Sequence, residues 1–136
     1  MKRTSTAHWE GTGKEGKGTV SSASGVLNNN PYTWSCRFAD ETGTNPEELI
    51  AAAHAGCFSM KLSFIVVAAG FTPSTIDTTC SVSIENGTIQ GSELDVTAVV
   101  PGMDAETFTK CAEEAKLTCP VSKALGIPIT VVSKLG

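Results

Sequence analysis

The chain has 136 residues, 40% of them hydrophobic, which fits one domain over residues 1–136 whose core needs no disulfide staples. Ten Lys and Arg against fourteen Asp and Glu give a net charge of −4 and a pI near 5.1. That balance argues against a phosphate-tracking nucleic-acid surface and against a polybasic membrane anchor. Behind Lys2 and Arg3 no apolar run follows, so no signal peptide is read there.

In chain order, His8 to Ser22 is punctuated by Gly and Lys around Trp9 and Val20 and predicts a loose hairpin, followed by a turn cluster at Asn28-Asn29-Asn30-Pro31. Tyr32, Trp34, Cys36 and Phe38 alternate with Thr33, Ser35 and Arg37, the pattern of a half-buried strand. Asn45 is a preferred N-cap, Pro46 suits the first helical position, and Glu47 and Glu48 favour the positive end of a helix. Glu48 stands three residues after Asn45, where it can reach back to the cap. The helix then runs to Gly70. Its apolar segment, Leu49 to Ala69, is interrupted by His54, Ser59, Lys61 and Ser63, and reads as a buried helix rather than a membrane span.

Beyond Pro73, the in-phase run Ile76, Thr78, Cys80, Val82, Ile84 predicts a strand, Asn86-Gly87 a hairpin turn, and Ile89, Leu94, Val96 and Val99 the returning strand. Asp104 caps a helix with the stripe Phe108, Cys111, Ala112 and Ala115. The break at Thr118-Cys119-Pro120 opens a short helix ending at Gly126, and Ile127 to Val132 closes the chain as a strand. The class is α+β with a mainly antiparallel sheet.

Five cysteines, an odd number without zinc-like spacing, argue against a secreted disulfide framework and for a reducing, cytoplasmic setting. Cys36, Cys80 and Cys111 stand in phase with core residues and read as small packed side chains. Cys57, in mid-helix, permits the same reading. Cys119 differs, because unpaired amides at a helix start favour a thiolate. His54 precedes Cys57 by three residues, a spacing that also allows a Cys–His nucleophilic pair or half a metal site.

The segments Gly43-Thr44-Asn45-Pro46-Glu47-Glu48-Leu49-Ile50, Ala52-Ala53-His54-Ala55 and Cys57-Phe58-Ser59-Met60 resemble the OsmC branch of the OsmC/Ohr (osmotically inducible protein C / organic hydroperoxide resistance) peroxidases. Ser24-Gly25-Val26-Leu27-Asn28, Val100-Pro101-Gly102 and Cys119-Pro120-Val121-Ser122 extend the resemblance over essentially the whole chain, although Glu85 to Gly91 is shorter than the branch leads one to expect. The resemblance implies the OsmC-like fold and thiol-dependent reduction of organic hydroperoxides, and of hydrogen peroxide more weakly, as a stress response. It matches Cys57 to the peroxidatic cysteine, Cys119 to the resolving one, Arg37 to the activating arginine and Glu47 to its acidic partner. An external thiol or dithiol is the implied reductant, and no metal, haem or flavin is implied. Phe58, Met60 and Ile50 would suit an alkyl tail. The competing reading is a non-catalytic acyl- or lipid-binding protein with incidental thiols, and a further one is a Cys–His hydrolase using His54.

Glu47 and Cys57 are ten residues apart on one helix, about 15 Å by helical rise, too far for a carboxylate clamping an arginine beside Cys57 within one chain. Antiparallel pairing of two such helices near Ala52, eased by Ala51, Ala53, Ala55 and Gly56, would bring Glu47 of one chain towards Cys57 of another. The expected assembly is an intertwined homodimer with shared sites.

Overall fold

The computed structural model describes residues 1–38 and 41–136, without the side chain of Phe38. Residues Met1–Leu49 and Ile50–Gly136 form two compact units.

In the first unit, β1 (Ser5–Glu10) and β2 (Lys17–Ser22) form the expected hairpin as six-residue antiparallel strands, with Trp9 opposite Gly18. A Cβ at Gly18 would meet the Trp9 ring at 2.6 Å and the Tyr32 ring at 2.8 Å, so only glycine lets the two rings pack over the strand. The third strand, β3, is Asn30–Tyr32 alone, paired to β2. The strand expected from Tyr32 to Phe38 does not continue. A helical turn, α1 (Ser35–Phe38), replaces it. Its cause is local: the Thr33 hydroxyl accepts the Cys36 amide at 3.1 Å, and the Asn45 amide group donates to the Cys36 carbonyl at 3.0 Å. Cys36 is buried as expected, but on a turn. Phe38, the last member of the expected strand face, lies outside the described side chains.

The long helix α2 (Pro46–Ala68) starts where the capping residues place it, with the Glu48 amide donating to Asn45 Oδ1 at 2.7 Å. Glu48 does not close a capping box; its carboxylate accepts the Thr44 hydroxyl at 2.7 Å. Gly70, at φ +95°, ends the helix as the sequence predicts.

The second unit holds β4 (Thr75–Glu85), β5 (Thr88–Val99), α3 (Ala105–Thr118), α4 (Pro120–Ala124) and β6 (Ile129–Leu135). The β4–β5 pair is an antiparallel hairpin turning on Asn86 and Gly87, both at positive φ. β6 joins β5 in parallel, giving the order β4-β5-β6. A register shift at Ser83/Ile84 changes the phase of β5, so Ser92, Leu94, Val96 and Ala98 point inward, while Val99 ends the strand as expected and is exposed. Phe58, Leu62 and Val66 of α2 meet these residues and Phe108, Ala112 and Ala115 of α3 in one core. Asp104 caps α3 by accepting the Thr107 amide at 2.7 Å.

The expected burial of α2 is met on one face only. Of its most apolar stretch 22% is buried, and Met60, Phe64 and Val67 stay exposed at helical spacing, Phe64 at 68%.

Candidate active site

Within the second unit, the sulfurs of Cys57 and Cys119 lie 3.2 Å apart although 62 residues separate them in sequence. Cys57 is presented by the middle of α2. Cys119 ends α3 and caps α4, its Sγ accepting the Ser122 amide at 3.4 Å. All five cysteines are free thiols. Cys57 opens on a cavity of about 280 Å³ lined with Met60, Lys61, Phe64, Thr118 and Pro120. Cys119 is fully buried.

The two thiols differ in acidity. Burial pushes the Cys57 thiol up; the Val121 amide and the positive charge of Lys61 act against burial, while Cys119 adds to it. Burial opposes charge on Cys119 as well, yet the Ser122 hydroxyl and amide, the Cys57 thiol and the Val121 amide outweigh it and hold the Cys119 pKa below the ordinary thiol value. The helix-start argument for Cys119 thus holds in its local form, through named donors.

In the first unit, Arg37 and Glu47 meet. Arg37 Nε donates to Glu47 Oε1 at 2.8 Å, and Nη2 reaches the same oxygen at 2.8 Å. Both N–H groups share one oxygen rather than taking one each. Glu47 Oε2 is buried and has no hydrogen-bond partner among the described residues. Arg37 is positioned by the α1 turn and not, as the alternating pattern had it, by the outer face of a strand. Trp9, Tyr32, Trp34 and Pro46 wall a hollow of about 180 Å³ against Arg37.

His54 does not face the Cys57 sulfur. It is fully buried, with Nδ1 2.7 Å from Ser92 Oγ and Nε2 2.7 Å from Ser122 Oγ, and burial lowers its pKa. Ser122 Oγ in turn lies 3.5 Å from Cys119 Sγ, and Ser92 Oγ lies 3.1 Å from Cys80 Sγ. Cys80 packs against the core as expected, with a contact to Ser92 besides, and burial raises its pKa. Sequence reasoning missed Ser92 and Ser122. Only Ser122 left a signal, three residues after Cys119 at a helix start. Of the residues expected near an alkyl tail, Met60 lines the thiol cavity, whereas Phe58 is wholly in the core. Among the described residues no group of three or more His, Cys, Asp or Glu is arranged to hold a metal ion.

A half-exposed thiol on a long helix, in sulfur contact with a buried, acidified thiol at a helix start, defines a dithiol protein on an α+β scaffold. The family model described as OsmC-like protein matches residues 39–134. Over 129 residues the chain is 54% identical to Peroxiredoxin OsmC of Escherichia coli strain K12, covering 92% of this chain and 90% of that protein. Among solved structures it is similar to the organic hydroperoxide resistance protein OhrB of Bacillus subtilis, with a TM-score of 0.68 at 27% identity over 98% of each chain. An organic hydroperoxide resistance protein from Elizabethkingia anophelis matches with a TM-score of 0.68 at 29% identity, over 98% of this chain and 95% of that one. The chain belongs to the OsmC-like family and is a peroxidase.

Proposed function

We propose that the chain reduces organic hydroperoxides to alcohols, with Cys57 as the attacking thiol and Cys119 as the resolving one. The observation that carries this reading is the 3.2 Å approach of the two sulfurs beside an apolar cavity. The Cys57 thiolate attacks one peroxide oxygen and the O–O bond breaks. Sulfur loses two electrons and becomes a sulfenic acid, and the alkoxide takes a proton to leave as alcohol. The Cys119 thiolate then attacks the Cys57 sulfur and displaces hydroxide, which is protonated to water. An external dithiol reduces the resulting disulfide and returns both thiols. Met60 and Phe64 line the cavity where an apolar tail would lie.

Burial raises the Cys57 pKa, so a further positive charge is needed to populate its thiolate near neutral pH. Arg37, aimed by Glu47, is the group we assign to that task, delivered from a second copy of the chain. The uncovered face of α2 carrying Met60, Phe64 and Val67 supports a paired helix, and the ten-residue separation of Glu47 and Cys57 favours the partner's guanidinium. The homodimer then holds two shared sites.

The test follows peroxide and thiol together. Cys57→Ser is expected to consume no cumene hydroperoxide, while Cys119→Ser consumes about one equivalent and leaves a trappable sulfenate. In the wild type, mass spectrometry after peroxide should find one Cys57–Cys119 bridge with Cys36, Cys80 and Cys111 reduced. Equal and complete first-turnover loss in both variants would overturn the assignment.

A further inference from the structure

We propose that Ser122 is a further catalytic residue of the resolving step and that His54 is its positioning residue, within a buried relay running Cys80, Ser92, His54, Ser122, Cys119. The inference rests on the reading of Cys119 as the resolving thiol and adds what prepares it.

The relay is argued from distances and proton counting. Each His54 ring nitrogen lies 2.7 Å from a serine hydroxyl, and each of those hydroxyls lies within reach of a cysteine sulfur, 3.5 Å for Ser122 and 3.1 Å for Ser92. A hydroxyl has one hydrogen to give. For Ser122 to donate to the Cys119 sulfur it must accept at its oxygen, so His54 must carry its proton on Nε2. His54 Nδ1 is then an acceptor, which takes the Ser92 hydroxyl proton, and Ser92 accepts from the Cys80 thiol. Every donor is used once and all point the same way, from Cys80 towards Cys119. Reversing the chain would strip Cys119 of its hydroxyl donor and place the negative charge on Cys80, which has one hydroxyl at 3.1 Å and the distant His54 Nδ1 at 3.9 Å for support, where Cys119 has a hydroxyl and an amide. Burial favours the neutral imidazole that the forward direction requires and opposes charge on Cys80.

The groups that bear on the relay come from four elements: Cys57 and Lys61 from α2 act at the thiol end, Cys80 from β4 and Ser92 from β5 at the other, and Ser122 from α4 joins them. Among these described groups Lys61 is the one fixed charge, and it acts on Cys57.

The hydrogen bond serves two steps. In resolution it keeps Cys119 ionised, ready to attack the Cys57 sulfenic acid. In reduction the incoming thiolate attacks the half-exposed Cys57 sulfur, the S–S bond breaks, and its electron pair leaves on buried Cys119. A leaving thiolate of lower pKa departs faster, so the same Ser122 hydroxyl directs which sulfur is attacked.

The experiment uses the full chain with cysteine labelled by carbon-13 at Cβ, whose chemical shift reports ionisation of each thiol. Ser122→Ala is expected to raise the Cys119 midpoint by about one unit, or roughly tenfold less thiolate below it, because a hydrogen bond to a charged group is lost. His54→Asn, which leaves the Nε2 position empty, should raise it similarly. His54→Gln, whose amide nitrogen reaches that position, should keep it near the wild type. If His54→Asn does not fold, Ser92→Ala, which frees Nδ1, takes its place with a shift in the same direction. In stopped flow after one equivalent of cumene hydroperoxide, disulfide formation should slow about tenfold relative to sulfenate formation in Ser122→Ala and His54→Asn. An unmoved Cys119 midpoint in Ser122→Ala, or a His54→Gln shift as large as that of His54→Asn, overturns the relay. Wild-type protein that forms no sulfenate overturns the peroxide reading instead, and the titration, which needs no peroxide, still decides the relay.

Discussion

Replacing Arg37 by lysine keeps the charge and removes the geometry. In the native pair, Nε and Nη2 both sit 2.8 Å from Glu47 Oε1, a two-point grip that fixes the plane of the guanidinium. A lysine ammonium on a shorter reach makes one such bond at most. The arginine side chain is 34% exposed and the glutamate 7%, so solvent screens part of the interaction. One charge-assisted bond, nominally worth about 1.5–3 kcal/mol, is then discounted to about 1–2 kcal/mol. If aiming is what the pair supplies to the reaction, kcat/KM should fall about five- to thirtyfold. Glu47→Gln should lose a similar amount, since the carboxylate charge goes while the volume stays. The double variant should lose little more than either single one, because both act through one contact. The assay is loss of cumene hydroperoxide with a dithiol reductant, with circular dichroism melts showing that each variant is folded. Near-full rate in Arg37→Lys, or losses that add in the double variant, would refute the argument from aiming.

The shared-site assembly is tested by mixing weakened Glu47→Ala with inactive Cys57→Ser subunits: one site of a mixed dimer joins intact Cys57 to the partner's intact Glu47, so activity should rise above that of Glu47→Ala alone, and no rise in verified heterodimers would count against it. A fully active monomer would refute it outright. Acid should also destabilise the fold through His54. Its folded pKa lies below the ordinary 6.5, so the unfolded chain takes up a proton that the folded one refuses. Stability is then complete above about pH 6.5, falls as pH drops below it, and is fully lost from this source once pH passes the folded pKa. Comparing melting midpoints of wild type and His54→Gln from about pH 7.5 to about pH 5 isolates the slope, which should shrink in the variant.

Much of the scaffold was legible because local chemistry and long-range packing agreed. Asn45 with Pro46, Asp104, Asn86-Gly87 and Gly70 each impose a backbone geometry by themselves, and the elements begin or end there. The alternation from Tyr32 to Phe38 misled because one hydroxyl, that of Thr33, captured the Cys36 amide and turned the chain. The thiol pair was legible through the resemblance of two motifs, since spacing alone pairs no cysteines across 62 residues. Ser92 and Ser122 were not, because a serine on a strand or in a short helix is ordinary until a buried imidazole is found between two of them.

The acidity of the two thiols bears on how the labour is divided. Cys119 draws its stabilisation from groups within its own unit, the Ser122 hydroxyl and amide, the Cys57 thiol and the Val121 amide, so the lowering of its pKa needs no second chain. Cys57 faces the opposite condition, with burial raising its pKa and Lys61 supplying the positive charge acting on it in its own unit. If a second chain's Arg37 activates Cys57 as proposed, pairing would accelerate the attacking step and leave the resolving step unchanged. Met60, Phe64 and Val67 are exposed, so in the proposed dimer the covering of this apolar face and the delivery of the partner's guanidinium to Cys57 would come in the same event. On this account the protein carries its resolving chemistry in each chain and acquires its attacking chemistry on assembly.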